Sequence, residues 1–395
     1  MSAQERVAVV GGGVVGCAVA RALAPDHDVV VLEKGQVAGE ATALSAGLVT
    51  MTPSYHDVTA VPDRANAFFR SYDGTGEFRY TERPSVEFVP EGRADAARRR
   101  VERLQADGVE VSFVDPDAIA ERYPLVAADR FAGGVEFAES GWLDPYTFAT
   151  TLHDDAVDRG AEVHTGTAVE SVVVRDGAVA GVETAEGTVG TDAVVAAAGW
   201  WTPDLLEGVA PVPVRPYRTQ CIVVDPGESF ADAPIGWHPD EHAYFRPEHN
   251  GDLLVGGWSF AEDDPESASG DADEEFRRHV AELLPEWFED MPDPRLVNGW
   301  AGIDGATPDT RPIVDAPGGM AGDGRRASSE RHDDVPENLV VATGFHGRGV
   351  MTAPVAADAV RAIVTGEGAP FPIETFALDR LETYSRDFEF TSVSS

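Results

Sequence analysis

Apolar runs and polar breaks alternate sharply over residues 6–33. Arg6-Val-Ala-Val-Val10 is a continuous apolar run too short for a helix, and it reads as a buried strand. Gly11-Gly-Gly13 reads as a turn, and Val14 to Ala24 as a helix that Pro25-Asp-His-Asp28 breaks. Val29-Val-Val-Leu32 is a second buried strand ending at Glu33, which completes a βαβ unit. Farther along, residues 94–104 pattern as a charged surface helix, and Asp115 to Arg122 as a helix with Asp115 as its cap. Tyr146 to Arg159 is a helix feeding the strand Ala161 to His164. Period-two alternation marks strands at Ala168–Arg175, Ala178–Thr184 and Thr188–Ala197, and the segment 214–258 is rich in strand signals. Glu274 to Leu284 and Val350 to Thr365 pattern as helices, with a strand at Leu339 to Ala342. The stretch 317–337 is polar, glycine-rich and aperiodic, so it is expected to be a mobile surface loop insertion.

At 395 residues the chain has room for about two domains, and its 43% hydrophobic content excludes wholesale disorder. The net charge of -39 excludes a basic nucleic-acid footprint. Lys34 is the sole lysine beside 29 arginines. An acidic, lysine-poor surface of this kind reads as adaptation to a salt-filled cytoplasm, where screening relieves self-repulsion. The longest apolar run, Val7 to Ala20, is interrupted by glycines and too short to span a bilayer. Cys17 and Cys221 cannot build a disulfide framework. No metal site is expected: the histidines are scattered, Asp263-Asp264 reads as solvated, and His332-Asp333-Asp334 falls in the loop insertion.

Gly11-Gly-Gly13-Val-Val-Gly16 fits G-x-G-x-x-G between a strand and a helix, with Glu33 seventeen residues later. Gly11 permits the tight turn, Gly13 lets backbone approach a pyrophosphate, and Gly16 lets the helix pack on the sheet. The helix N-terminus at Val14 and Val15 faces the phosphates, and Glu33 accepts ribose hydroxyls. The pattern specifies a dinucleotide without choosing between FAD and NAD. Three further elements follow in order: the small-residue loop Gly39 to Leu48, the buried strand Val194 to Ala198 closing on Gly199-Trp200, and Gly344-Phe-His-Gly347-Arg-Gly349-Val-Met.

With these four elements the chain resembles the D-amino-acid oxidase superfamily, which includes glycine oxidase, sarcosine oxidase and sarcosine dehydrogenases. The resemblance implies an α/β fold with a discontinuous Rossmann-like FAD-binding domain (1–84, 145–213 and 305–395) and a sheet-rich substrate domain (85–144 and 214–304). It places Thr42, Ala43, Ser45, Ala46, Gly47 and Leu48 along the pyrophosphate and flavin ring, and Val169 at the adenine. Ala198, Gly199, Trp200 and Gly344 complete the cradle, with Lys34 at the adenosine end. Gly347, Arg348, Gly349, Val350 and Met351 lie at the pyrimidine edge of the flavin, where a helix N-terminus stabilises developing negative charge. Positions that carry a covalent flavin link in some relatives are matched here by Leu44 and Gly302, so noncovalent FAD is expected.

The implied reaction is hydride transfer from the carbon beside an amine to flavin N5, giving an imine that hydrolyses. The arginine that clamps the substrate carboxylate in glycine oxidase is replaced by Asp304. Tyr244 and Arg246 alternate on an expected strand, which puts both on one face, and His346 and Arg348 sit in the flavin-edge loop. These four are the candidate substrate residues. The plainer alternatives are that Arg246 pairs with a surface acid, that His346 is structural and that Arg348 is solvated. In monomeric sarcosine oxidases a lysine over flavin N5 favours electron transfer to oxygen; the resemblance puts Lys34, the sole lysine, at the adenosine end, which implies a dehydrogenase rather than an oxidase. The alternatives are a 2-hydroxy acid dehydrogenase, with His346 as its general base, and an FAD-binding subunit of a heteromeric complex. The electron acceptor and a homo- or hetero-oligomeric state stay open.

The charge pattern makes one prediction. The melting temperature should fall when molar salt is removed, and a flat or rising value would contradict salt adaptation.

Overall fold

Five short strands run parallel through the first sheet because the chain returns each time through a helix or a second layer. The computed structural model describes residues 4–392 apart from 75, 290, 292, 293, 323, 330 and 331. The sheet order is Ile313–Asp315, Leu339–Thr343, Ala193–Ala196, Arg6–Val10, Asp28–Leu32 and Glu162–His164, with only the Ile313–Asp315 edge antiparallel. Val7, Ala8 and Val9 are fully buried, as befits a central strand covered on both faces. The helices Val14–Leu23, Pro145–Asp158 and Gly349–Thr365 cover one face and share its core. Gly16 sets how closely the first helix sits: a Cβ there would stand 1.9 Å from the Gly11 carbonyl oxygen.

A second, eight-stranded sheet runs in the order Arg295–Ala306, Arg215–Asp225, Leu253–Ala261, Ala243–Pro247, Ile235–His238, Ser85–Val89, Gly133–Phe137 and Val111–Val114. Strand alternation divides its faces. Ile222 and Val224 point into an apolar core with Phe245, Phe276 and Trp287 under the helix Glu274–Trp287. Tyr217, Thr219 and Cys221 point the other way, into a cavity. No helix among the described residues is long and apolar enough to cross a membrane.

Four sequence expectations are corrected. Thr188–Ala197 is not one strand: Gly187–Gly190 joins a small antiparallel sheet, and Ala193–Ala196 enters the parallel one after a break at Thr191-Asp192. Asp115 does not cap its helix through its side chain, which pairs instead with Arg98 at 2.5 Å. The helix from Glu274 continues through Pro285, which lets Trp287 reach the core. The 317–337 segment is more than surface: Met320, Ala327, Ser328 and Val335 are buried. The fully buried Asp315 carboxylate accepts the Ala327 and Ser328 N–H groups at 2.7 and 3.0 Å, and Arg325 donates to the carbonyls of Ile363 and Val364. A buried carboxylate and open helix-end carbonyls need donors, and this segment supplies them.

Gly16→Ala should cost about 1–3 kcal/mol or more, because the added methyl meets backbone rather than a movable side chain. An unchanged denaturant midpoint would contradict this packing.

Candidate active site

The strand Arg6–Val10 leads into Gly11, whose φ is +110° and where a Cβ would stand 2.4 Å from the Ala197 carbonyl oxygen, so only glycine fits. The helix beyond it begins at Val14 with no acid in its first turn and no side-chain cap on Gly13, so its N-terminus is open to an anion. Thr42 approaches from the following loop and its hydroxyl accepts the Val14 N–H at 3.1 Å. Glu33 is buried and pins both sides of the turn, accepting the Gly12 N–H at 2.6 Å and the Gly35 N–H at 2.7 Å. Each oxygen keeps a lone pair for a ribose hydroxyl. Lys34 stands 3.2 Å from the centre of the Trp201 ring and 3.3 Å from Glu40, so it is fixed at this end.

From Gly35 to Gly47 the chain has neither helix nor strand, and its carbonyls are satisfied from elsewhere. Trp300 Nε1 donates to the Leu44 carbonyl at 2.8 Å, Arg246 Nε to the Ala46 carbonyl at 2.6 Å, and the Leu143 N–H to the Gly47 carbonyl at 3.0 Å. Leu44 also abuts Gly302, where a Cβ would stand 3.0 Å from the Leu44 Cβ. Arg246 is buried, pairs with Glu248 at 3.1 Å and lies over the Trp142 ring. It therefore braces the loop and does not line the cavity, against the expectation of a substrate clamp. Alternation does put it on the face of Tyr244, but the loop covers that part of the strand.

The Gly344–Met351 turn forms the opposite wall. His346 has a φ of 52° and no solvent exposure. Its Nε2 donates to the Thr391 carbonyl at 2.8 Å, while Nδ1 accepts the Thr307 N–H at 3.3 Å. Burial, helped by the neighbouring Arg348 charge, pushes its pKa down to about 4. A neutral ring with both nitrogens engaged is no general base, which corrects that reading of His346. The Gly347 N–H donates to Asp304 Oδ2 at 2.7 Å, and Arg348 Nη1 donates to the Thr310 carbonyl at 2.7 Å.

These walls enclose one cavity of about 730 Å³ running from Gly11, Gly13 and Glu33 to Tyr217, Trp237 and Tyr244. Val14, Val15, Lys34, Thr42, Ser45, Ala46, Leu48, Val169, Ala198, Gly199, Trp200, His346, Gly347, Arg348, Gly349, Val350 and Met351 line it as well. Gly16, Ala43, Gly47 and Gly344 lie behind the wall; Gly47 has a φ of +68° and packs so closely on Leu143 that a Cβ would stand 2.0 Å from its carbonyl oxygen. At the far end the Tyr244 hydroxyl lies 3.7 Å from Cys221 Sγ, and burial holds its pKa well above the usual phenol value, so it is a neutral donor. Sequence reasoning missed Tyr217, Thr219, Cys221 and Trp237. The alternation of Tyr217, Thr219 and Cys221 was the available signal. Asp304 had drawn notice only as the replacement for an arginine, although it lines the cavity.

Glu33→Ala should weaken FAD retention by about 1–3 kcal/mol, through lost ribose contacts and a released turn. Full occupancy after dilution and gel filtration would show that Glu33 is misassigned.

The chain is similar to several known proteins. A curated relative, 4-methylaminobutanoate oxidase (formaldehyde-forming) of Paenarthrobacter nicotinovorans, is 27% identical over 363 residues, which is 88% of this chain and 42% of the relative. The chain thus spans about two fifths of that protein. Glycine oxidase from Geobacillus kaustophilus superposes with a TM-score of 0.80 at 22% identity, covering 95% of this chain and 98% of that one. L-proline dehydrogenase from P. horikoshii gives 0.83 at 21%, covering 98% and 100%. Both likenesses establish the shared fold. The family model described as DAO, FAD dependent oxidoreductase, matches residues 6–363. The chain belongs to the DAO family of FAD-dependent oxidoreductases.

Proposed function

We propose that this enzyme oxidises a small amino acid or a secondary or N-methyl amine to an imine that hydrolyses, and that it acts as a dehydrogenase. The observation that carries this reading is the continuous cavity, which joins the dinucleotide end at Glu33 to a pocket holding Tyr244 and Arg348. FAD, when bound, supplies the acceptor for hydride from the carbon beside the amine nitrogen. Gly11, Gly13, Glu33 and the Thr42–Leu48 loop hold it. Neither Leu44 nor Gly302 offers a nucleophile, which supports noncovalent attachment.

Arg348 and Tyr244 are the donors for a substrate carboxylate. No acid pairs with Arg348 among the described residues, which leaves its charge for the cavity. Tyr244 stays neutral and donates a hydrogen bond. The hydroxy-acid alternative requires a base to take the alcohol proton, and His346 is unsuited to that role. The names of the relatives, a 4-methylaminobutanoate oxidase, a glycine oxidase and an L-proline dehydrogenase, agree with an amine substrate. Dehydrogenase behaviour is favoured because the sole lysine is held by Trp201 and Glu40, away from the pocket end.

Two measurements on the isolated chain test this reading. Under anaerobic conditions, amines from a panel should bleach the flavin while 2-hydroxy acids leave it yellow; the reverse pattern would overturn the amine assignment. Reduced enzyme mixed with air-saturated buffer should reoxidise slowly. Rapid reoxidation with stoichiometric hydrogen peroxide would make it an oxidase.

A further inference from the structure

Asp304 lies on the strand Arg295–Ala306, directly across from Tyr217 on the neighbouring strand, and lines the cavity. Gly302, two residues earlier on the same face, abuts Leu44 in the long loop. Asp304 therefore stands between that loop and the Gly344–Met351 turn. Its Oδ1 accepts the Gly305 N–H and its Oδ2 the Gly347 N–H, each at 2.7 Å, and each oxygen keeps a lone pair. Among the described residues no Lys, Arg or His nitrogen forms an ion pair with it.

The groups that face this carboxylate are the Tyr217 hydroxyl from the neighbouring strand, the His346 ring packed on Tyr217, and Arg348 from the turn. The Tyr217 hydroxyl sits beside Asp304 and interacts with its carboxylate, and burial and that negative charge keep it protonated. His346 is neutral. Arg348 is turned in part to the Thr310 carbonyl. Asp304 is half-buried and no cation is paired with it among the described residues, so this wall favours an incoming cation.

We infer that Asp304 is the ammonium site of the pocket: it binds the protonated amine of the substrate, takes its proton, and selects cationic amines over neutral analogues of the same size. The inference rests on the amine-oxidation reading above. In the proton transfer an N–H bond breaks and its electron pair stays on nitrogen, while an O–H bond forms on the Asp304 carboxylate. An ion pair becomes a free amine and a neutral acid, with no change in net charge. Burial raises the Asp304 pKa against the opposing pull of the two backbone N–H groups, which narrows the gap the proton must cross. With Arg348 in the same cavity, the two charges match an amino-acid zwitterion.

The test uses the FAD-loaded enzyme at constant ionic strength, with tetramethylammonium as an inert cation that has no N–H proton to give up. Binding is read as a change in the flavin spectrum. Asp304→Asn should weaken tetramethylammonium at least tenfold, Asp304→Glu should retain most of the affinity, and neutral tert-butanol should bind wild type and Asn variant alike. Equal tetramethylammonium affinity in the Asn variant, or an equal loss of tert-butanol, would overturn the inference. Should the Asn variant shed its flavin, the wild type decides: cation affinity must be lost as pH falls through the raised carboxyl pKa, and a flat profile refutes it. If tetramethylammonium binding depends on Asp304 but no amine bleaches the flavin, the ammonium site stands and the oxidation reading fails.

Discussion

Two carbonyl oxygens in a segment without helix or strand hold the site together. Leu44 and Ala46 turn their carbonyls toward the eight-stranded sheet, and Trp300 and Arg246 answer with donors at 2.8 and 2.6 Å. Left unpaired at such depth, each carbonyl would cost about 1–3 kcal/mol. The arrangement makes the loop that follows the dinucleotide turn a shared part of both sheets. Glu33 fixes its beginning through Gly35, Thr42 ties it to the first helix turn, and Gly47 locks its end against Leu143. The cavity exists because this one segment is fastened along its length to partners from both sides.

Charge inside the cavity is arranged with similar economy. Tyr217 and Tyr244 are held neutral by burial, and His346 is neutral with both ring nitrogens occupied. Glu87, which also reaches the cavity, is paired with Arg100 at 2.5 Å. That leaves Arg348 and Asp304 as the charged groups without an ion-pair partner at the Tyr244 end, among the described residues. A small ligand with separated opposite charges fits these two better than an anion or a neutral alcohol.

The dinucleotide end was legible because its requirements are local. The turn at Gly11, the helix packing at Gly16 and the acid at Glu33 all act within one βαβ unit, so spacing alone carries the information. Arg246 shows where such reasoning stops: alternation puts it on the face of Tyr244, but not beneath a loop that lies 200 positions earlier in the chain. His346 is similar, since its neutrality depends on Thr307 and Thr391. The break at Thr191-Asp192 was hidden because apolar alternation continues through a chain that changes sheets. The buried Asp315 carboxylate explains why a polar, glycine-rich segment folds against the core. In each case the deciding partner is distant in sequence.

The central claim is that the second sheet organises the flavin site through the loop, and Arg246→Met tests it most directly. Methionine keeps much of the bulk but cannot donate to the Ala46 carbonyl. The account predicts an FAD dissociation constant raised on the order of tenfold or more, with turnover impaired equally for amines with and without a carboxylate. Unchanged FAD affinity, with a raised KM confined to carboxylated substrates, would show that Arg246 clamps substrate and that the loop needs no such brace.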